Sequence, residues 1–134
     1  MLNVIAEICS NWGGNVESAK LHIKKSKESG ASHVKFQMWR TEDIYETSDP
    51  HWSIIKKSEL TEDIAKELKV YSDKIVFVTL KRVIGTDDIY IEKHVKLDYA
   101  VGPDAPFSIS FKELESLVVH AKRITQLSLS TITN

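Results

Sequence analysis

The run Val4-Ile5-Ala6-Glu7-Ile8-Cys9-Ser10 holds one carboxylate inside otherwise apolar sequence and is followed by Asn11, Trp12 and two glycines, Gly13 and Gly14. Near-continuous apolar sequence of this length is the pattern of a strand buried on both faces of a parallel sheet. A carboxylate inside such a strand is costly unless it has a partner or lines a cavity, so Glu7 demands one or the other. The glycines end this strand over residues 4–10. Asn15 is a good N-cap, and Val16, Ala19 and Ile23 share one face of the helix that follows, which ends near Gly30. Residues 32–38 then alternate Val34, Phe36 and Met38 with His33, Lys35 and Gln37, the signature of a second strand. Strand, helix and strand in that order make a right-handed βαβ unit, which commits the chain to an α/β fold on a parallel sheet.

The alternation continues with one break. Residues 39–57 lose periodicity, contain Asp49-Pro50 and read as a loop. Thr61 caps a second helix, with Leu60 and Ala65 as its hydrophobic staple and Ile64, Leu68 and Tyr71 on one face. Residues 75–80 form a β-branched third strand and residues 88–95 a fourth. The link between them, residues 81–87, is shorter than the roughly ten to twelve residues of a parallel crossover. Either the two strands form a hairpin around Gly85 or a segment is missing there. After the loop 96–107, Ser110 and Glu113 make a capping box, Ile109 and Leu114 a staple, and Leu117, Val118, Ala121 and Ile124 the apolar stripe of a third helix. Residues 125–134 carry no cap signals and are expected to be an irregular tail behind one domain over residues 1–124.

Composition narrows the function classes. The 18 Lys and Arg against 19 Asp and Glu leave a net charge of -1, so there is no basic footprint for nucleic acid. Cys9 is the only cysteine, which excludes an internal disulfide, points to a reducing cytoplasm and reads most simply as a small buried filler. No apolar run approaches the ~20 residues of a membrane span, and no charged leader precedes the first strand pattern, so a soluble cytoplasmic protein is expected.

The polar residues that bear on chemistry are Glu7, Asn11, Lys35, Gln37, His94 and Asp104, each near the C-terminal end of a strand or in the loop after it. That end is the catalytic face of an α/β barrel and the ligand crevice of an open parallel sheet. Glu7 and Lys35 on adjacent strands also fit a plain buried ion pair, and Asp104 after Gly102-Pro103 fits a turn. His22, His33, His51 and His120 lack ligand spacing and are expected at the surface. Trp12 and Trp39 are expected to pack. There is no glycine-rich nucleotide motif, metal-binding cysteine cluster or nucleophile elbow.

Two blocks resemble one family. Val4-Ile5-Ala6-Glu7-Ile8 with Asn11 and Gly14, then Gly30-Ala31 leading to Val34-Lys35-Phe36-Gln37, is similar to the N-terminal signature of the sialic acid synthase (N-acetylneuraminate synthase) family. Ile91-Glu92-Lys93-His94 with Leu97-Asp98, then Gly102-Pro103-Asp104 and the capped Ser110 helix, resembles that family's eighth strand and last helix. The resemblance implies a phosphoenolpyruvate-dependent condensation onto an N-acyl hexosamine such as N-acetylmannosamine, with C–O cleavage of the phosphoenolpyruvate and a divalent metal, manganese or magnesium. Carried over by position, Glu7 and Lys35 are catalytic, Asn11, Gln37 and Asp104 contact substrate, and His94 is a metal ligand. Trp12 and Gly13 stand where the family has a histidine and an asparagine. Four barrel strands between the two blocks, a second metal histidine, another lysine and the C-terminal antifreeze-like domain have no counterpart here.

The expected architecture is therefore a partial TIM-barrel-like α/β domain. It has about four mainly parallel strands, in the order third, second, first and eighth of the family barrel, with three helices. Its two open edges favour a homodimer. A catalytically inactive remnant and a small α/β interaction module, with Glu7 and Lys35 only an ion pair, are the alternatives to a synthase-like enzyme.

Overall fold

The computed structural model describes residues 2–73, 75–78 and 89–132, with backbone alone at 75–78 and 127–132. The elements are β1 (Leu2–Glu7), α1 (Val16–Glu28), β2 (His33–Gln37), α2 (Trp52–Lys57), α3 (Glu62–Tyr71), β3 (Ile75–Val78), β4 (Ile89–His94) and α4 (Phe111–Ile132). Short 3-10 turns occupy Cys9–Trp12, Thr41–Asp43 and Ala105–Phe107. The sheet runs β3-β2-β1-β4 and all its pairings are parallel. That order is the one expected for the third, second, first and eighth strands of a barrel. The connection over residues 81–87, hairpin or otherwise, lies outside the described residues.

Strand periodicity divides the sheet into two chemically different faces. Val4, Ala6, Val34 and Phe36 are buried on one face, in a core completed by Ala19 and Ile23 of α1, Ala65 and Leu68 of α3, and Leu114, Val118 and Ala121 of α4. The strand register puts Glu7 level with Lys35 on one side and with His94 on the other, so these three share the opposite face.

The helix ends follow their sequence signals. Asn15 accepts from the Ser18 amide and Thr61 from the Ile64 amide. The Ser110 hydroxyl accepts from the Glu113 amide while the Glu113 carboxylate accepts from the Ser110 amide, a complete capping box. These hydrogen bonds hold the Glu113 carboxyl below its ordinary range.

Four expectations need correction. The first strand ends at Glu7 and its last predicted residues, Cys9 and Ser10, enter a buried 3-10 turn, because the chain must curl to carry Ser10 and Asn11 to the loops after β4. Residues 39–57 contain α2, a short helix whose Ile55 is buried. Tyr71 and Ile124 sit on apolar stripes yet are 48% and 55% exposed, since both lie toward the ends of the stripes, beyond the packed core. The last helix continues through Ile132 instead of giving way to an irregular tail after Ile124.

His22 is a fifth correction: it is fully buried, not at the surface. Its Nδ1 lies 2.7 Å from the Ser18 carbonyl, to which it donates, and its ring meets Phe111 edge-on. Its Nε2 is buried with no hydrogen-bond partner among the described residues. Burial therefore holds its pKa below the ordinary histidine value.

Candidate functional site

Glu7 is the centre of the open face. It is fully buried, and its Oε2 lies 2.7 Å from Lys35 Nζ, while its Oε1 accepts from the Cys9 amide at 3.0 Å. Gln37 Nε2 donates to the same Oε2 at 3.4 Å, and Gln37 Oε1 accepts from the Cys9 thiol at 3.6 Å. Lys35 also reaches across β1 to Glu92 on β4, 2.7 Å from its Oε1. One ammonium thus bridges two carboxylates. Burial pushes the Glu7 carboxyl above its ordinary pKa even against the Lys35 hydrogen bond and charge. Burial works against the charged Lys35, but its bonds to Glu7 and Glu92 more than offset this and raise its pKa.

Beside this triad lies a second group. Cys9, His94 and Asp104 present a sulfur, a ring nitrogen and a carboxylate oxygen that all lie within 4.8 Å of one another. Asp104 Oδ2 accepts from the Ser10 amide at 3.1 Å and from the Ser10 hydroxyl. Burial first, and then the negative charges of Asp104 and Glu7, push the Cys9 thiol far above its ordinary pKa. Tyr45, in the loop after β2, feels Asp104 as well: burial and then that charge raise its phenol.

The loops are held in place by close packing. Gly14 has φ +77° and sits so near the end of α2 that a Cβ there would overlap the Lys57 carbonyl. Ser108 donates to the Asp104 carbonyl at 2.7 Å, which closes the loop that carries Asp104. Cys9 takes φ +47°, the left-handed region, where a side chain costs about 1 kcal/mol or more relative to glycine.

Of the residues singled out in the sequence, Glu7, Lys35 and Gln37 are joined directly, and His94 and Asp104 come together with Cys9. Asn11 is buried, and its Nδ2 donates at 2.8 Å to the Val95 carbonyl and at 2.8 Å to Ser108 Oγ. Its amide ties the first turn to the segment after β4. Sequence reasoning missed Glu92, although its spacing two residues before His94 on one strand places both on one face. It also missed Ser10 and Tyr45, which sit in turns and loops without a period to reveal them.

No known family model matches the chain. Over 72 residues, 54% of its length, it is 36% identical to the uncharacterized protein MJ1065 of Methanocaldococcus jannaschii, and it spans 21%, about a fifth, of that protein. Its structure is similar to a crystal structure of N-acetylneuraminic acid (sialic acid) synthetase from Leptospira borgpetersenii serovar Hardjo-bovis in complex with citrate. The TM-score is 0.78 at 15% identity, over 92% of this chain and 84% of that one. The fold is sialic acid synthase-like. The spore coat polysaccharide biosynthesis protein SpsE of Bacillus subtilis is a further likeness, with TM-score 0.60 and 14% identity over 98% of this chain and 70% of that one. At these identities the likeness establishes the fold alone, an α/β partial barrel. Among the described residues, no helix is long and apolar enough to cross a membrane.

Proposed function

We propose that this chain supplies the phosphoenolpyruvate- and sugar-binding part of a nonulosonic acid synthase-like site. The supporting observation is the buried Glu7–Lys35 pair, with Gln37, His94 and Asp104 beside it, at the C-terminal end of a synthase-like sheet. In the proposed reaction the methylene carbon of phosphoenolpyruvate bonds to the aldehyde carbon of an N-acyl hexosamine. Water adds at the carbon bearing the phosphate, and phosphate leaves by C–O cleavage. Lys35 holds the anion by charge-assisted hydrogen bonds. Glu7, its pKa raised by burial, sits where it can move a proton on the reacting groups. Gln37 fixes the orientation of Glu7, and Asp104 accepts from a sugar hydroxyl. The Leptospira synthetase in complex with the small anion citrate is in keeping with a small-molecule ligand.

Electrostatics adds a condition. Among the described residues, Glu7, Glu92 and Asp104 set three carboxylates around the Lys35 ammonium. An anionic phosphate entering there is opposed unless a cation enters too or Glu7 is protonated. The family's magnesium or manganese prefers oxygen ligands, whereas the donors grouped here are a thiol, an imidazole and one carboxylate. That set does not match magnesium, and no step above is routed through a metal.

The double pairing of Lys35 favours one second reading, an α/β binding or interaction module in which the triad only holds three strands together. One experiment separates the two. The chain is incubated with phosphoenolpyruvate, N-acetylmannosamine and a divalent cation, and free phosphate is measured beside thermal stability. The synthase reading predicts that phosphoenolpyruvate raises the melting temperature and that phosphate is released only with both substrates, less so in Glu7→Gln. Unchanged stability together with no phosphate leaves the module. In either reading the open edges of β3 and β4 are proposed to pair a second copy, and a monomer in gel filtration at micromolar concentration contradicts this.

A further inference from the structure

We infer that Cys9, His94 and Asp104 form a three-ligand centre for a thiolate-accepting divalent transition metal of the zinc class, with Cys9 as a ligand and not a core filler. The three donors come from three separate places, the turn after β1, the end of β4 and the loop beyond it, yet their ligating atoms lie within 4.8 Å of one another. Zinc bonds of about 2.0 Å to nitrogen and about 2.3 Å to sulfur place tetrahedral donors roughly 3.5 Å apart. Side-chain movements of about 1 Å therefore close the set around an ion.

Three features of the surroundings belong to a metal centre more than to packing. The Ser10 amide and hydroxyl both hold Asp104 Oδ2, which orients the carboxylate as outer-shell donors do for metal-bound groups. The Cys9 amide is anchored on Glu7, and its thiol is met by Gln37 Oε1, so the sulfur has a fixed position. Cys9 keeps a side chain at φ +47°, where glycine fits without cost, so the fold tolerates strain to place that sulfur. Among the described residues, the excess of carboxylates over ammonium groups at this site also favours a cation. Three protein ligands leave one position open for water or a substrate oxygen, as in catalytic zinc sites. On binding, the thiol proton leaves to bulk water and the thiolate bonds to the metal.

This inference stands on the geometry of Cys9, His94 and Asp104 and does not depend on the synthase reading. The full chain, freed of metal, is titrated with Co(II), and the thiolate-to-cobalt charge-transfer absorption in the near ultraviolet is recorded. Zn(II) is then added in competition, with Mn(II) and Mg(II) in parallel. The expected result is one cobalt per chain with a charge-transfer band that Zn(II) abolishes and Mg(II) does not. Calorimetry in two buffers should show release of a proton on binding.

Cys9→Gly is the informative variant because glycine relieves the backbone strain: it should stay folded by circular dichroism, lose the band and weaken binding at least about 100-fold. His94→Asn should weaken binding while keeping what band remains. No band at saturating cobalt, equal cobalt binding by Cys9→Gly, or Mg(II) competing as well as Zn(II) would each overturn the assignment. The band without any phosphoenolpyruvate binding keeps the metal centre and removes the synthase reading. Phosphoenolpyruvate binding without the band does the reverse.

Discussion

Replacing Lys35 with methionine removes the ammonium and keeps most of the side-chain volume, which isolates the electrostatic role of the triad. The Glu7 half of the bridge is buried, with Glu7 fully covered and Lys35 14% exposed. Breaking a buried pair by deleting one partner costs about 3 kcal/mol, because the remaining charge is left uncompensated. The Glu92 half is 40% exposed on the carboxylate side and adds only about 0.5 kcal/mol.

The loss must also depend on pH. Without Lys35, the Glu7 carboxyl, already pushed up by burial, takes a proton more readily still. A carboxyl whose folded pKa lies above its unfolded value stabilises the fold at low pH, and that contribution disappears as pH rises through the folded pKa. Lys35→Met should therefore lie about 3 kcal/mol below the parent near pH 8 and recover part of the deficit near pH 5. Chemical denaturation followed by circular dichroism at the two values measures this. The double variant Glu7→Gln/Lys35→Met leaves no charge at either position, and the side-chain amide oxygen introduced by Glu7→Gln can still accept from the Cys9 amide, so it should return to within about 1 kcal/mol of the parent. A single variant within about 0.5 kcal/mol of the parent at both pH values would refute the buried-pair account.

Other positions give independent checks. The neutral His22 ring, with its unpartnered Nε2, has its pKa lowered by burial, so its contribution is present above the ordinary histidine value and is lost as pH falls through the folded value. His22→Met should flatten the fall in melting temperature between about pH 7 and about pH 5. Gly14→Ala places a methyl into the Lys57 carbonyl at a positive φ and should cost more than about 2 kcal/mol in urea denaturation. Ser110→Ala removes one arm of the capping box and should cost about 1 kcal/mol, read as a lower urea midpoint with unchanged slope.

The parts of this fold that could be read in the sequence are those set by a period or a cap. Alternation in residues 33–37 and the apolar run ending at Glu7 gave the strands, and the signals at Asn15, Thr61 and Ser110 gave the helix starts. The parallel order was implied by the resemblance to the sialic acid synthase family, in whose barrel the eighth strand lies beside the first. The helix α2 was missed because its six residues are too few to establish a 3.6-residue period, and its anchoring depends on contact with Gly14. His22 was misplaced because its neighbours on α1 include several polar residues, and the Phe111 ring at the start of α4 that meets it lies far away in the sequence.

The site divides along the same line. Glu7, Lys35 and Gln37 were legible from strand alternation, which fixes the face a residue shares. The approach of Cys9 to His94 and Asp104 joins residues far apart in the chain through two loops, and no local pattern carries that information.

The most direct test of the central claim is calorimetric titration of phosphoenolpyruvate into the full chain, with and without Zn(II) or Mn(II). The account predicts saturable binding that the metal strengthens, that is lost in Lys35→Met and that persists in Lys24→Ala, a control on the exposed side of α1. Binding that is absent with either metal, or equally strong in Lys35→Met, would contradict it.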